Sequence, residues 1–262
     1  MEPVMAVVVR RIRGGSEEEV GDRVAQEYPV TLVCQGRELA TLMCTPEHLD
    51  ELALGFLYTG GLILSPDEVR DLKVEAEPGA GRVEVTLAAG AEARLTGWQA
   101  ARLVPTGCGQ AFPERQSELP TISGNLCVTV AEIMDLLAGL TRAPVHRVTG
   151  ATHAAALAQR GGILCLREDV GRHNAIDKIA GWWLTRRAAG PQSAQGLVVL
   201  TTGRLSSDIV LKVSRLGAPV LVSRAAPTSL GIRLAYLTGL TLVGFARAGH
   251  LNVYTFPERV MA

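Results

Sequence analysis

Several things are missing from this chain, and each absence removes a class of function. There is no CxxC pair: the five cysteines, Cys34, Cys44, Cys108, Cys127 and Cys165, are odd in number and show no framework spacing. That argues against a zinc ribbon or a disulfide scaffold and for reduced thiols in a cytoplasmic protein. No apolar run approaches the roughly 18 residues of a membrane span. The first apolar run, Val4 to Val9, precedes the basic residues Arg10 and Arg11, the wrong order for a secretory leader. Charge of one sign is also lacking. Lys and Arg together number 26, as do Asp and Glu, which weighs against a broad nucleic-acid surface but not against a local anion site. Aromatic residues make up only 4% against 47% hydrophobic overall, so the core is aliphatic.

The 262 residues suffice for one large domain or two smaller ones. Alternation predicts strands over 4–13 and 28–34, with a further strand from Arg37 to Cys44. Thr45 and Pro46 read as the N-cap and first turn of a helix that buries Leu49, Leu52, Ala53, Phe56 and Leu57 and stops at Gly60 and Gly61. Ser65 to Glu68 and Thr129 to Glu132 read as capping boxes, the second opening a helix with Ile133, Leu136, Leu137 and Leu140 on its core face. Strands are expected at 71–77 and 81–88. Beyond residue 162 the pattern is regular. Ile163 to Leu166 is a buried strand, 167–173 a polar loop, and Asn174 with Asp177 the start of a helix. Strands at 197–200, 219–222 and 240–246 alternate with helices at 206–216 and 228–238, and a short strand closes at 252–255. Such series favour a sheet with parallel strands joined by right-handed crossovers. The turn-rich stretch around 113–126 is the one reasonable boundary, giving an N-terminal α+β portion over 1–112 and an α/β domain over 113–262.

Two constellations carry chemistry. The first is the thiol loop Val104 to Pro113, where Cys108 stands between Gly107 and Gly109; glycines and prolines set it on a loop, where a thiol can reach a partner. The second is a row of polar clusters at expected strand ends, where ligands bind in open α/β sheets. These are Glu168 to Asn174 with Arg172 and His173; Thr201 to Ser206 with Gly203 and Arg204; Arg224 to Ser229 with Thr228; and Phe245 to His250 leading to Asn252. Guanidinium forks and helix-start amides both favour phosphate, so the row points to an anionic, nucleotide-like ligand. His153, alone among alanines, reads more readily as a hydrogen-bonded core residue than as a catalyst. Ala154 and Ala155 follow it where a zinc deaminase would need H-x-E, and the paired cysteines are lacking too; no metal ligands are expected. Cys34, Cys44, Cys127 and Cys165 are assigned to the core. Trp182 and Trp183 are assigned to packing, with a dimer contact left open for one of them.

Together these stretches resemble the FdhD family of sulfurtransferases needed for active formate dehydrogenase. The matching segments are the Cys108 loop, TPEHLDELALGFLYTGGLI from Thr45, TGATHAAAL from Thr149, EDVGRHNAIDKI from Glu168, TTGRLSSDIVLK from Thr201, APTSL from Ala226 and GLTLVGFARAGHLNVYT from Gly239. The resemblance implies a cytidine-deaminase-like mixed sheet with flanking helices, without the zinc site, in a cytoplasmic homodimer. It implies that Cys108 takes sulfur from a cysteine desulfurase as a persulfide and passes it to the molybdenum bis(molybdopterin guanine dinucleotide) cofactor before that enters formate dehydrogenase. It assigns cofactor binding to Phe245, Ala246, Arg247, Ala248, Gly249 and His250 and their surroundings. Arg172, Arg204, Arg224, Arg247 and Lys212 are the cations expected to neutralise its phosphates. Many relatives carry a second loop cysteine where this chain has Ala111. Either Cys108 suffices alone, or the protein is a cofactor chaperone without sulfur transfer.

Overall fold

The computed structural model describes residues 1–98, 119–124, 126–187 and 194–262. Its first strands, β1 (Val4–Arg13) and β2 (Ser16–Ala25), form a two-stranded antiparallel ribbon. A four-stranded sheet follows, built from β3 (Tyr28–Cys34), β4 (Arg37–Cys44), β5 (Val69–Glu77) and β6 (Ala80–Leu87) in the order β4-β3-β6-β5. Helix α1 (Leu49–Thr59) joins its first and second pairs, and the short α2 (Ala93–Trp98) follows it.

The second half begins with β7 (Val128–Thr129), α3 (Val130–Leu140) and α4 (Pro144–Thr149). Then come β8 (His153–Gln159), β9 (Gly162–Asp169), α5 (Arg172–Arg187), β10 (Val198–Thr201), α6 (Ser207–Leu216), β11 (Val220–Ser223), α7 (Ser229–Thr238), β12 (Thr241–Arg247) and β13 (His250–Val253). Six of these strands make one sheet, ordered β13-β12-β11-β10-β8-β9. Strands β10, β11 and β12 are parallel, as the series of crossovers predicts; β8 and β13 run against them, so the sheet is mixed. The terminal β14 (Val260–Met261) pairs with β7.

Alternate residues of each central strand supply opposite faces of the sheet, because side chains in a strand have period two. Ala155, Leu157, Val199, Leu221 and Leu242 join the core formed with α1, α5, α6, α7 and the four-stranded sheet. Ala154, Ala156, Ala158, Val198, Leu200, Val220, Val222 and Val243 pack under α3, with Ile133, Leu137 and Leu140. The larger core is continuous from Tyr28 in β3 to Leu242 in β12, so the two halves of the chain share one apolar interior.

Helices α1 and α5 pack on each other more extensively than any other helix pair. Two glycines permit it. A Cβ on Gly55 would lie 1.7 Å from the Asp177 carbonyl oxygen, and one on Gly181 would lie 1.9 Å from that of Glu51. Ion pairs seal the junction. Lys212 Nζ sits 2.7 and 2.8 Å from the Asp177 carboxylate and 3.0 Å from Thr59 Oγ1, and Arg167 makes a two-pronged bond to Glu51 at 2.5 and 2.7 Å.

Several sequence expectations are corrected here. Thr45 does not cap α1: His48 occupies that place in a left-handed conformation, and Thr45 is buried and bonded elsewhere. Ser65 opens only a short 3-10 turn at 66–68 without a side-chain cap, because Glu68 instead accepts from Leu64 N and pairs with Arg94. Residues 167–169 belong to β9, and α5 starts at Arg172, so Asn174 lies within the helix. The Thr129–Glu132 capping box is present in both directions. Replacing Gly55 or Gly181 by alanine is expected to cost about 3 kcal/mol or more, measured by chemical denaturation, because a backbone carbonyl has nowhere to retreat.

Candidate functional site

Strand β9 is antiparallel to β8, and β8 to β10, so β9, β10, β11 and β12 all end on one edge of the sheet. The four polar clusters follow those ends, in a row set by strands about 4.8 Å apart. Sequence reasoning placed the clusters individually; the topology brings them together.

The edge is built by backbone-directed side chains. Thr202 Oγ1 accepts from Ala154 N at 3.1 Å and lies 3.4 Å from His153 Nδ1. Gly203 N donates to Thr201 Oγ1 at 3.1 Å, and Ser223 Oγ donates to the Gly203 carbonyl at 2.6 Å. Gly203 is required sterically: a Cβ there would stand 2.9 Å from Arg172 Cβ. Arg172 therefore lies against the β10 turn at the start of α5. Leu205 N and Thr228 N exchange bonds with Ala226 O and Leu205 O at 3.0 and 3.1 Å, tying the β10 and β11 loops into one surface. Thr228 is the N-cap of α7, its hydroxyl accepting from Gly231 N at 3.1 Å. Arg204, Arg224, Thr228 and Ser229 are exposed along this surface.

Strand β12 ends irregularly. Its register with β13 shifts between Gly244 and Arg247, and Phe245 and Ala248 both take the left-handed conformation with φ of 51°. A bulky residue held there marks strain that the surroundings must maintain, a pattern concentrated at functional sites; the Phe245 N–H donates to Ala225 O at 3.1 Å. Ala246 is buried, Phe245 half-buried, and Arg247, Gly249, His250 and Asn252 are exposed, with Asn252 Nδ2 donating to the Tyr254 hydroxyl at 3.4 Å.

Beneath the row lies a buried polar support. Lys178 Nζ, fully buried, contacts Asp169 Oδ2 at 2.6 Å, Thr45 Oγ1 at 2.7 Å and Glu168 O at 3.2 Å. Asp169 also accepts from Gly171 N and Asn174 Nδ2, each at 2.9 Å, which fixes the turn into α5. The Glu168 carboxylate accepts from Val145 N, His146 N and Thr152 Oγ1 at 2.9, 2.6 and 3.0 Å, satisfying the start of α4.

His146, Thr152, His153, Thr202 and Arg224 line a cavity of about 380 Å³ beside the edge. His146 Nδ1 lies 2.6 Å from the Thr152 carbonyl, which accepts only, so that nitrogen carries a proton. His153, expected in the core, instead borders this cavity half-buried, and burial together with Arg172 holds its pKa below the usual histidine value. His146 and Asp208 were missed by sequence reasoning: α4 is too short to show periodicity, and Asp208 looks like an ordinary first-turn acid.

His173 is buried. Its Nε2 has no hydrogen-bond partner and stands 3.8 Å from Asp208 Oδ2. Burial, then Lys212 and Arg172, push its pKa down to about 3, while burial raises that of Asp208. His173 is thus a neutral support for the site rather than an exposed ligand. Lys212, expected to meet phosphate, is corrected likewise, since its ammonium is buried and neutralised by Asp177. Cys127, expected in the core, is only partly covered, whereas Cys34, Cys44 and Cys165 are buried. Cys108 and Ala111 lie outside the described residues.

The strand ends of a mixed α/β sheet thus carry Arg204 and Arg224 exposed, with Arg172 half-covered beside them, above buried carboxylates. Among the described residues no group of three or more His, Cys, Asp or Glu is placed to hold a metal ion, and no helix is long and apolar enough to cross a membrane. A model of the FdhD/NarQ family matches residues 25–261, and the chain belongs to that family. It is 35% identical over 258 residues to the sulfur carrier protein FdhD of Geobacillus kaustophilus, covering 97% of this chain and 95% of that one. The protein of the same name from Bordetella bronchiseptica is 37% identical over 266 residues, covering 98% and 95%. A crystal structure from Desulfotalea psychrophila, described provisionally as a formate dehydrogenase accessory protein, matches with a TM-score of 0.80 and 31% identity, covering 99% of this chain and all of that one.

The depressed His173 pKa predicts acid sensitivity. Its folded-state value lies below the unfolded 6.5, so its contribution is fully present above pH 6.5 and is lost as pH falls toward about 3. His173→Gln should flatten stability against pH in that window by up to about 1.4 kcal/mol per pH unit, read from denaturation midpoints of both proteins.

Proposed function

We propose that this protein is a cytoplasmic sulfur carrier in formate dehydrogenase maturation. Cys108 takes sulfane sulfur from a cysteine desulfurase: its thiolate attacks the outer sulfur of the desulfurase persulfide, forming a Cys108 persulfide and releasing the desulfurase thiolate. The outer sulfur then passes, at the zero-valent level, to reduced molybdenum of the bis(molybdopterin guanine dinucleotide) cofactor before the cofactor enters formate dehydrogenase: the Cys108 thiolate leaves with the S–S bonding pair, and the metal supplies the two electrons that make the sulfur a sulfido ligand. The cofactor is cargo. The observation that carries this reading is the row of Arg172, Arg204 and Arg224 on one sheet edge, joined by the Phe245–His250 turn, in a chain whose relatives are named sulfur carriers. Guanidinium groups there suit the diphosphates of a guanine dinucleotide, and a two-fold homodimer supplies an edge for each of its two nucleotide arms. On this reading the six-stranded sheet is a cytidine-deaminase-like scaffold turned to ligand binding, since Ala155 stands where the acid/base glutamate would be.

A second reading, a cofactor chaperone without sulfur transfer, is favoured by Ala111 in place of a second loop cysteine. One experiment separates them. After incubation with a cysteine desulfurase and cysteine, intact-mass analysis should show one added sulfur that reductant removes and that Cys108→Ala abolishes. Activation of formate dehydrogenase by Cys108→Ala at the wild-type level would leave only the chaperone. The nucleotide site is tested independently by GDP titration calorimetry: Arg204→Ala and Arg224→Ala should each weaken binding at least about tenfold, equivalent to 1.4 kcal/mol, while Cys108→Ala leaves it unchanged.

A further inference from the structure

Strands β1 and β2 form a ribbon that meets the rest of the fold where β2 packs against α4. Each has ten residues, among the described residues they pair as strands only with each other, and an isolated two-stranded ribbon is marginal in water. The two outer edges differ. That of β2 carries Glu17, Glu18, Glu19 and Asp22, charges that discourage further pairing. That of β1 begins Val4-Met5-Ala6-Val7-Val8-Val9, with no proline, charge or bulge. Val8 is 75% exposed, the highest value among the exposed large hydrophobic residues described, and Ile12 and Met5 are 64% and 52% exposed.

We infer that the β1 edge is a self-association surface, pairing antiparallel with β1 of a second copy to make a continuous sheet β2-β1-β1-β2. This rests on the dimeric reading above and assigns its contact. The occupant follows from the charge pattern. Arginines cluster at one end of β1, as Arg10, Arg11 and Arg13. Parallel pairing in register would set each beside its own copy, and like charges in direct opposition destabilise a sheet. A two-fold axis normal to the sheet does the reverse. It keeps every residue on its own face, so each must meet a residue of the same parity. Centred on Val8, it sets Val9 opposite Val7, Arg10 opposite Ala6, Arg11 opposite Met5 and Ile12 opposite Val4. No like charges meet, the valines form one apolar centre, and the acidic β2 strands flank the basic ends of β1. The contact is isologous and closes on itself, leaving only charged edges outward.

The test uses the full chain in sedimentation equilibrium, with Val8→Asp, Val8→Lys and an equal mixture of the two. Wild type should dimerise at micromolar concentration. Each variant alone, with two like charges at the axis, should raise the dimer dissociation constant at least about tenfold, with unchanged circular dichroism and GDP binding. The mixture should recover the dimer as a heterodimer. A dimer indifferent to both substitutions, or a mixture that stays monomeric, overturns the β1 pairing alone. A monomeric wild type overturns it together with the dimeric reading and leaves the Cys108 persulfide to its own measurement.

Discussion

The structure depends on one buried ammonium. Lys178, without solvent contact, draws together Asp169 at the end of β9, Thr45 at the entrance to α1 and the Glu168 carbonyl. Removing either member of a buried ion pair strands the other charge, so these groups can be held only as a set. The set fixes the angle at which α5 leaves the sheet, and Arg172 and His173 sit on its first turn. It also fastens the N-terminal half of the chain to the half that carries the strand-end arginines. The second pair, Asp177 with Lys212, repeats the device further along α5 and reaches Thr59 at the end of α1.

This buried chemistry explains why the charged motif in α5 is so dense yet contributes so little charge to the surface. Asp169, Asn174, Asp177 and Lys178 are internal fasteners, and His173 is a neutral neighbour of Asp208. The groups left at the edge are Arg204, Arg224, Arg247 and His250, with Arg172 half-covered against Gly203. The site is therefore a thin line of exposed cations on a neutralised foundation, in keeping with a chain of no net charge.

Where local pattern coincided with environment, the sequence was readable. The alternation of β10, β11 and β12 with α6 and α7 is visible because their strands are short, continuous and apolar and each helix ends at a glycine, Gly217 or Gly239, in a left-handed turn. The strand-end location of Arg204, Arg224 and the Phe245 turn followed from that. Strand β2 went unassigned because its glutamates have little strand preference and its pairing is dictated by β1. Strand β8 was obscured by alanines, whose small size serves packing on both faces. The roles of Thr45, Asn174 and Lys212 were misread for a common reason. Capping and phosphate binding are local or surface expectations, whereas these side chains answer to partners more than 30 residues away in sequence.

Gly55 and Gly181 bring the α1 and α5 backbones into direct contact, carbonyl against bare Cα. Two such seats along one crossing act as a pivot with a fixed axle. Sliding either helix along the other would drive a carbonyl into the neighbouring turn, whereas a small tilt about the seats would not. A load applied to the four-stranded sheet can thus reach the first turn of α5 only as a rotation. Any movement along the strand-end edge must then come from the turns beyond the strands, with the helix pair as the rigid frame beneath them.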